Sequence, residues 1–136
     1  MKTRILLDTH IFAWVFIEPE RFSKRQRQFI EDTKSHDFFV SDITAWEASI
    51  KYGLGKLKLP EPPETFFASR TRRAGYHRLK IDLDHVTCVH KLPLVHRDPF
   101  DRLLISQAIV EGLTILSEDP VLRKYSVDLM SLSDIH

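Results

Sequence analysis

The sequence predicts an α/β fold in which a parallel sheet is covered by helices on both faces. Three observations predict it. Short apolar runs of strand length alternate with longer segments of helical periodicity. The chain has 136 residues, 43% of them hydrophobic, which is enough for one sizeable core. No repeat, low-complexity tract or long linker divides the sequence, so we treat residues 1–136 as a single domain.

Five strands are predicted, at residues 5–7, 38–40, 78–81, 113–116 and 127–130. The first is a continuous apolar run that ends at Asp8, which is typical of a strand buried on both faces. The third alternates charged and apolar residues, and the fifth has the weakest pattern.

Helices are predicted between these strands, at residues 9–17, 22–34, 42–52, 64–75, 83–92, 99–111 and, as a short helix, 120–124. Pro19 ends the first, because a proline disfavours the helical conformation of the residue before it. In the third, Ile43, Trp46 and Ile50 share one face. Gly112 follows the sixth, where a helix cap is expected. Residues 60–63 and 93–97 are predicted loops.

Charge and cysteine content exclude several classes of protein. There are 20 Lys and Arg against 19 Asp and Glu, a formal net charge of +1, so the chain is not a polybasic nucleic-acid binder. Cys88 is the single cysteine, which rules out an intrachain disulfide and favours the cytoplasm. Asp8 and His10 interrupt the first apolar run too early for a signal peptide, and no run approaches the ~20 residues that span a bilayer.

Acidic residues recur at or near the predicted carboxyl ends of strands and at the starts of helices. These residues are Asp8, Glu47, Asp98, Asp101 and Asp119. Sites in parallel sheets lie beyond the carboxyl ends of the strands, so we expect the five to share one rim. Clustered carboxylates repel one another, and a divalent cation removes that cost. Oxygen ligands suit Mg²⁺ or Mn²⁺, which indicates metal-assisted hydrolysis of a phosphodiester.

Helix capping is the alternative explanation for most of these acids. Asp98 and Asp119 each precede a proline, as N-cap residues do. Thr44 and Glu47 match a capping box, and Asp8 could cap the first helix. Capping does not explain Asp101, which lies three residues beyond Asp98. The two explanations are compatible, because a capping carboxylate has a second oxygen for a metal.

Four segments occur in a recognisable order: LLDTH at 6–10, SDITAWE at 41–47, HRDPFDRLLI at 96–105 and LSED at 116–119. Together they resemble the PIN-domain ribonucleases, in particular the VapC-type toxins of bacterial toxin–antitoxin pairs. The resemblance extends from Ile5 to about Met130, and the third segment is its most specific element. It implies an α/β/α sandwich with a mostly parallel five-stranded sheet.

The resemblance also implies an endoribonuclease that depends on Mg²⁺ or Mn²⁺, is neutralised by a cognate antitoxin and forms a homodimer. The catalytic, metal-binding positions of the family match Asp8, Glu47, Asp101 and Asp119. Asp98 is either a further ligand or only an N-cap. The hydroxyls of Thr9 and Ser117 are expected to hydrogen-bond a ligand carboxylate or water, although the family more often has Thr at the second position.

Basic and apolar residues suggest contacts with partners. Arg97 and Arg102 flank the expected site, where each contacts phosphate or pairs with a carboxylate. The acid-free stretches 21–27 and 70–80 either contact an RNA backbone or form solvated surfaces. The apolar segments 12–22 and 42–58 exceed what a small core needs, so the resemblance suggests a groove for an antitoxin helix. The segment from Lys51 to Leu57 is similar to a Lys-x-x-x-Gly-Lys-Leu signature of some family members, with no assigned role.

Two other classes of function compete with this interpretation. A PIN-like module that binds RNA or protein without catalytic turnover is the main alternative, although a pure scaffold need not keep all four acids. A phosphoacceptor receiver domain would need an acidic pair near the first strand and a lysine after the last one. Neither is clear in this sequence.

Overall fold

The structure is a computed structural model that describes residues 2–95 and 98–136. Within these residues five strands and six α-helices occur. The strands are β1 (Thr3–Leu7), β2 (His36–Ser41), β3 (His77–Leu79), β4 (Thr114–Leu116) and β5 (Leu129–Met130). The helices are α1 (Thr9–Phe16), α2 (Lys24–Glu31), α3 (Asp42–Gly53), α4 (Pro63–Ala74), α5 (Leu83–Cys88) and α6 (Pro99–Glu111). Short 3₁₀ helices span Pro19–Arg21, Val89–Lys91, Pro120–Lys124 and Leu132–Asp134.

The strands form one sheet in the order β3-β2-β1-β4-β5, and all neighbouring pairs are parallel. The chain moves outward from β1 to β3, crosses back, and moves outward again from β4 to β5. The crevice between the carboxyl ends of β1 and β4 is therefore the topological switch point, where open α/β sheets bind ligands. Asp8 directly follows β1 and Ser117 directly follows β4, so this crevice holds both predicted site residues.

Each face of the sheet packs against its own layer of helices. Ile5 and Leu7 of β1 pack in a core with Phe66 of α4, whereas Leu6 packs in a second core with Ile105 of α6. This division follows from the alternation of side chains along a strand. The sheet is thus the middle layer of an α/β/α sandwich, which confirms the predicted fold class. The sheet is parallel throughout the described residues rather than mostly parallel.

Local side chains and glycines determine where helices begin and end. The carboxylate of Asp82 accepts from the backbone N–H of His85, and the imidazole of His85 accepts from the N–H of Asp82, which together form a capping box at α5. Helix α6 ends at Gly112, as predicted, with a left-handed φ of 67°. None of the helices in the described residues has the length and apolarity of a membrane span.

Several predicted boundaries differ from the structure. The α-helix predicted at 22–34 is confined to α2, because Ser23 caps its start and the chain leaves the helical conformation at Asp32. The helix predicted at 83–92 becomes a 3₁₀ helix after Cys88, and the one at 120–124 is 3₁₀ throughout. Pro63, predicted in a loop, is the first residue of α4. Strand β2 is twice as long as its predicted triplet.

Candidate active site

Asp8 is a buried carboxylate at the switch point of the sheet. Its backbone N–H donates to the carbonyl of Leu116 at 3.2 Å, so the β1–β4 ladder continues to this residue. Its Oδ1 accepts from the N–H of Ile11 at 2.8 Å, which caps α1, and its Oδ2 accepts from the hydroxyl of Ser117. The side chain is held from two elements, and the predicted capping role and the predicted position at the rim are both confirmed.

The environment of Asp8 disfavours its charge. Burial raises the pKa of Asp8 above its ordinary value of 3.8, and the hydrogen bonds from Ser117 and Ile11 oppose that rise. The nearby carboxylate of Asp119 raises the pKa further. A cation bound at this point would favour the ionised form.

Ser117 joins Asp8 to the next acid along the chain. While its hydroxyl donates to Asp8, its Oγ accepts from the backbone N–H of Asp119 at 3.0 Å. Asp119 in turn accepts from the N–H of Val121 at 3.0 Å and caps the following 3₁₀ helix. One serine therefore organises the two acids at the ends of β1 and β4, which is the carboxylate-orienting role predicted for its hydroxyl.

Helix α3 carries Glu47 to the same end of the sheet. Its N-cap is Ser41, whose Oγ accepts from the N–H of Ile43 at 3.0 Å. The predicted capping box of Thr44 and Glu47 is therefore wrong, because the helix begins earlier and both residues lie inside it. The Oγ atoms of Thr44 and Thr9 lie 3.3 Å apart, which joins α3 to the residue beside Asp8.

Glu47 is mostly buried, but its carboxylate has few partners. Its side chain is 12% exposed, and Oε2 lies 3.3 Å from Nζ of Lys51. The buried Oε1 has no hydrogen-bond partner among the described residues. A buried carboxylate oxygen without a partner costs stability, and capping no longer accounts for this residue. A cation bound to this oxygen would supply the missing partner.

The first turn of α6 supplies two further acids. Oδ1 of Asp98 accepts from the N–H of Phe100 at 2.9 Å and of Asp101 at 3.4 Å, so Asp98 is the N-cap. Asp101 lies in the first turn of the helix. Helices α3 and α6 pack together, and the rings of Trp46 and Phe100 meet edge to face with centroids 4.8 Å apart. This contact joins the residue before Glu47 to the residue before Asp101.

Of the two arginines predicted to flank the site, Arg97 and Arg102, the structure describes only Arg102. Arg97 lies outside the described residues. Arg102 donates to the backbone carbonyls of Pro93 at 2.7 Å, Val89 at 3.3 Å and Leu92 at 3.4 Å. Arg102 thus fastens the loop before α6 to the helix that carries the acids, a role that the sequence did not predict.

Two arginines of the basic stretch 70–80 form ion pairs with acidic residues elsewhere in the chain. Arg70 lies 2.7 Å from Glu61, and Arg78 makes two hydrogen bonds to Asp42 at 2.7 and 2.9 Å. Arg78 and Asp42 are 36 residues apart in the sequence and Arg70 and Glu61 are nine apart, and neither pair was predicted. These pairs favour a structural role over an RNA contact for these two arginines.

The predicted apolar surface is more exposed on α3 than near α1, where Ile17 is 37% exposed and Trp14 and Phe16 are partly buried. Phe12 and Phe22 are 2% and 5% exposed and belong to the core, whereas Trp46 is 52% exposed. Helices α3 and α4 border a groove of about 870 Å³. Its lining combines apolar with charged residues, among them Val40, Ala45, Phe67, Tyr76, Asp42, Glu64, Arg72 and Arg78.

The donor set at the switch point fits a hard divalent cation. Asp8, Glu47 and Asp119 offer carboxylate oxygens, the ligands that Mg²⁺ and Mn²⁺ prefer. The unpartnered Oε1 of Glu47 and the burial of Asp8 are both conditions that a cation relieves. No trio among the four predicted ligands, all of which are described, has its oxygens within 4.8 Å of one another.

A second acidic cluster, which sequence reasoning missed, could also hold a metal. Asp82, His85 and Glu111 have ligand atoms within 4.8 Å of one another. However, Nδ1 of His85 accepts from the N–H of Asp82 at 3.1 Å, and Nε2 lies 2.8 Å from Oε2 of Glu111. Both ring nitrogens thus already have protein partners. Glu111 is ten residues from Asp101 on α6, about 15 Å along the helix, so the two clusters are separate.

Comparison with known proteins identifies the class. Residues 5–128 match the family model of the PIN domain, so the chain belongs to the PIN-domain family. Over 59 residues it is 37% identical to Ribonuclease VapC16 of Mycobacterium tuberculosis, a match that covers 43% of this chain and 41% of that protein. The chain thus spans about two fifths of the length of this curated relative.

Solved structures share the fold over nearly the whole chain. VapBC2 from Rickettsia felis, bound to a promoter DNA fragment, superposes with a TM-score of 0.71 at 16% identity, covering 95% of this chain and 98% of that one. DNA-bound VapBC from Salmonella typhimurium gives 0.69 at 15% identity, with 96% and 98% covered. FitAcB from Neisseria gonorrhoeae gives 0.65 at 19% identity, with 95% and 98% covered. At these identities the likeness concerns the fold.

Proposed function

We propose that this chain is a divalent-metal-dependent endoribonuclease that acts as the toxin of a toxin–antitoxin pair in the cytoplasm. The observation that carries the proposal is the arrangement at the switch point. There Ser117 joins the buried Asp8 to Asp119, and Glu47 keeps an unpartnered buried oxygen. The ribonuclease name of the partial relative and the membership of the PIN family support the same chemistry.

Each residue of the site has its own proposed role. Asp8, Glu47, Asp101 and Asp119 hold Mg²⁺ or Mn²⁺, and Asp98 acts as the N-cap that presents Asp101. When bound, the ion acidifies a water and offsets negative charge on the phosphate oxygens. Ser117 keeps the carboxylate of Asp8 oriented, and Thr9, the first residue of α1, holds α3 beside Asp8 through Thr44. One of the carboxylates accepts the proton of the attacking water, and the products carry 5′-phosphate and 3′-hydroxyl ends.

The proposed partners are an RNA substrate, a cognate antitoxin and a second copy of the chain. The antitoxin is supported by the fold shared with the VapBC structures, and the α3–α4 groove of about 870 Å³ is the surface proposed to receive it. The homodimer is supported by exposed apolar side chains on α3 and at its C-cap, where Trp46, Ile50 and Leu54 are 52%, 42% and 65% exposed.

Sequencing of RNA ends after brief expression of the chain tests the proposed function and identifies the RNA that is cleaved. The wild-type chain should produce new 5′-phosphate ends at a defined set of sites and arrest growth. Asp8→Asn should produce neither, while Asp84→Asn, at an exposed acid of α5, should behave as the wild type. Equal cleavage by Asp8→Asn and wild type would refute the assignment. RNA binding without new ends, unaffected by metal, would favour the binding-module alternative.

A further inference from the structure

Lys51 lies one helical turn after Glu47 on α3 and pairs with it. Its Nζ is 3.3 Å from Oε2 of Glu47. The two side chains differ in exposure, since the lysine is 47% exposed and the glutamate only 12%. The ammonium therefore covers an enclosed carboxylate from the solvent side, next to the candidate metal site.

The pair has the i, i+4 spacing that modestly favours a helix, but folding stability explains only a small part of it. An ion pair with a half-exposed ammonium adds little to stability, because solvent screens it and the long side chain loses freedom. The buried Oε1 of Glu47, without a hydrogen-bond partner among the described residues, has the opposite effect. The pair does not offset the burial of the carboxylate. A ligand-dependent role for both residues accounts for their arrangement better.

We propose that Lys51 is a substrate-contacting residue that exchanges partners when the metal binds. This inference rests on the proposed function. Without metal, Lys51 neutralises Glu47. When a divalent cation binds Glu47, the cation repels the ammonium of Lys51. The ammonium then contacts a phosphate oxygen of the bound RNA.

The chemistry of lysine suits this exchange. Its ammonium is a compact charge on four rotatable methylenes, and it binds phosphate as a point charge without a fixed geometry. Its exposure leaves room to turn. By contrast, the guanidinium groups of Arg70 and Arg78 are fixed on carboxylates of their own chain. Lys51 thus brings a movable cation to the edge of the acidic site.

The test compares Lys51→Met, which keeps the apolar stem, with Lys51→Arg and with Lys56→Met as a matched control just beyond the end of α3. Calorimetric titration with Mn²⁺ in the absence of RNA should give Lys51→Met a Kd about two- to five-fold lower than wild type, because the competing cation is gone. At saturating Mn²⁺, kcat/KM of the same variant should fall by about ten-fold or more. The slope of log kcat/KM against log salt should become shallower by about 0.7, the loss of one phosphate contact.

Opposite effects on metal binding and on cleavage distinguish the exchange from a purely structural role. Lys51→Arg should recover most of the cleavage, and Lys56→Met should match the wild type in both measurements. Unchanged Mn²⁺ affinity and an unchanged salt slope in Lys51→Met would overturn the inference while leaving the proposed function intact. A wild-type chain that neither binds Mn²⁺ nor cuts RNA would overturn both.

Discussion

The hydroxyl of Ser117 donates a hydrogen bond to Oδ2 of Asp8 where the ends of β4 and β1 meet. The same oxygen of Ser117 accepts from the N–H of Asp119 at 3.0 Å. Two acids that are 111 residues apart in the sequence are thereby held around one small side chain. The orientation of the candidate ligands depends on this serine.

Ser117→Ala should weaken metal binding without removing a ligand. The hydrogen bond from Ser117 lowers the pKa of Asp8, so its loss raises that pKa further. Asp8 must be ionised to hold a cation, and the acid limb of the pH profile for cleavage should therefore move to higher pH. Metal affinity should fall by about ten-fold or more, as for other residues that orient ligands. Ser117→Thr keeps the hydroxyl and should retain the wild-type profile; the same shift in both variants would contradict this account.

Asp8→Asn should change the pH dependence of stability. Burial raises the folded-state pKa of Asp8 above 3.8, so its contribution to stability is present below that pH and is lost as pH rises through the raised value. Asparagine does not ionise and can still cap α1. In EDTA, the free energy of unfolding of the wild type relative to the variant should therefore fall as pH rises from 3.8 towards neutrality. Denaturant titrations across that range measure the difference, and a wild type that gains relative stability with rising pH would be inconsistent with a raised pKa.

Glu47→Gln should remove the stabilisation that metal confers. A cation that binds only the folded state stabilises it, by about 2.7 kcal/mol at one hundred times its Kd. The wild type should show a higher Tm in saturating Mn²⁺ than in EDTA, and Glu47→Gln should show little change. Glu20→Gln, at an exposed glutamate, serves as the matched control and should respond as the wild type does. An undiminished Mn²⁺ response in Glu47→Gln would remove Glu47 from the ligand set.

Glu111→Gln separates the two acidic clusters. Glutamine can still accept from Nε2 of His85, so the hydrogen bond between α5 and α6 survives and the loss of stability should stay within about 1 kcal/mol. If the metal binds at the switch point, the Mn²⁺-induced rise in Tm is unchanged. If it binds Asp82, His85 and Glu111 instead, the rise disappears. Thermal unfolding with and without Mn²⁺ decides between the two positions.

The sequence was sufficient to predict the order of elements, the sheet and the rim on which Asp8, Ser117 and Asp119 meet. These follow from local rules, since an apolar run followed by an acid places that acid at a strand end. The start of α3 was predicted less well. Ser41 and Thr44 are both good N-cap residues, and only the backbone shows that Ser41 takes the role. That correction left Glu47 without a capping role.

The ion pairs of the basic stretch 70–80 could not be predicted. The basic stretch 70–80 contains no acid, yet Arg78 finds Asp42 and Arg70 finds Glu61 once β3 and α4 are in place. Aromatic residues were equally ambiguous, because hydrophobicity does not distinguish the buried Phe12 from the half-exposed Trp46. Partners of these side chains are chosen by packing, which a single sequence does not reveal.

Cleavage of a labelled single-stranded RNA by the purified chain tests the central claim most directly. Wild type and Asp8→Asn are compared in Mg²⁺, in Mn²⁺ and in EDTA, with circular dichroism to show that both are folded. The account predicts cleavage by the wild type in either metal, none in EDTA, and none by Asp8→Asn under any of the three conditions. Full cleavage by the wild type in EDTA, or by folded Asp8→Asn in Mn²⁺, would contradict it.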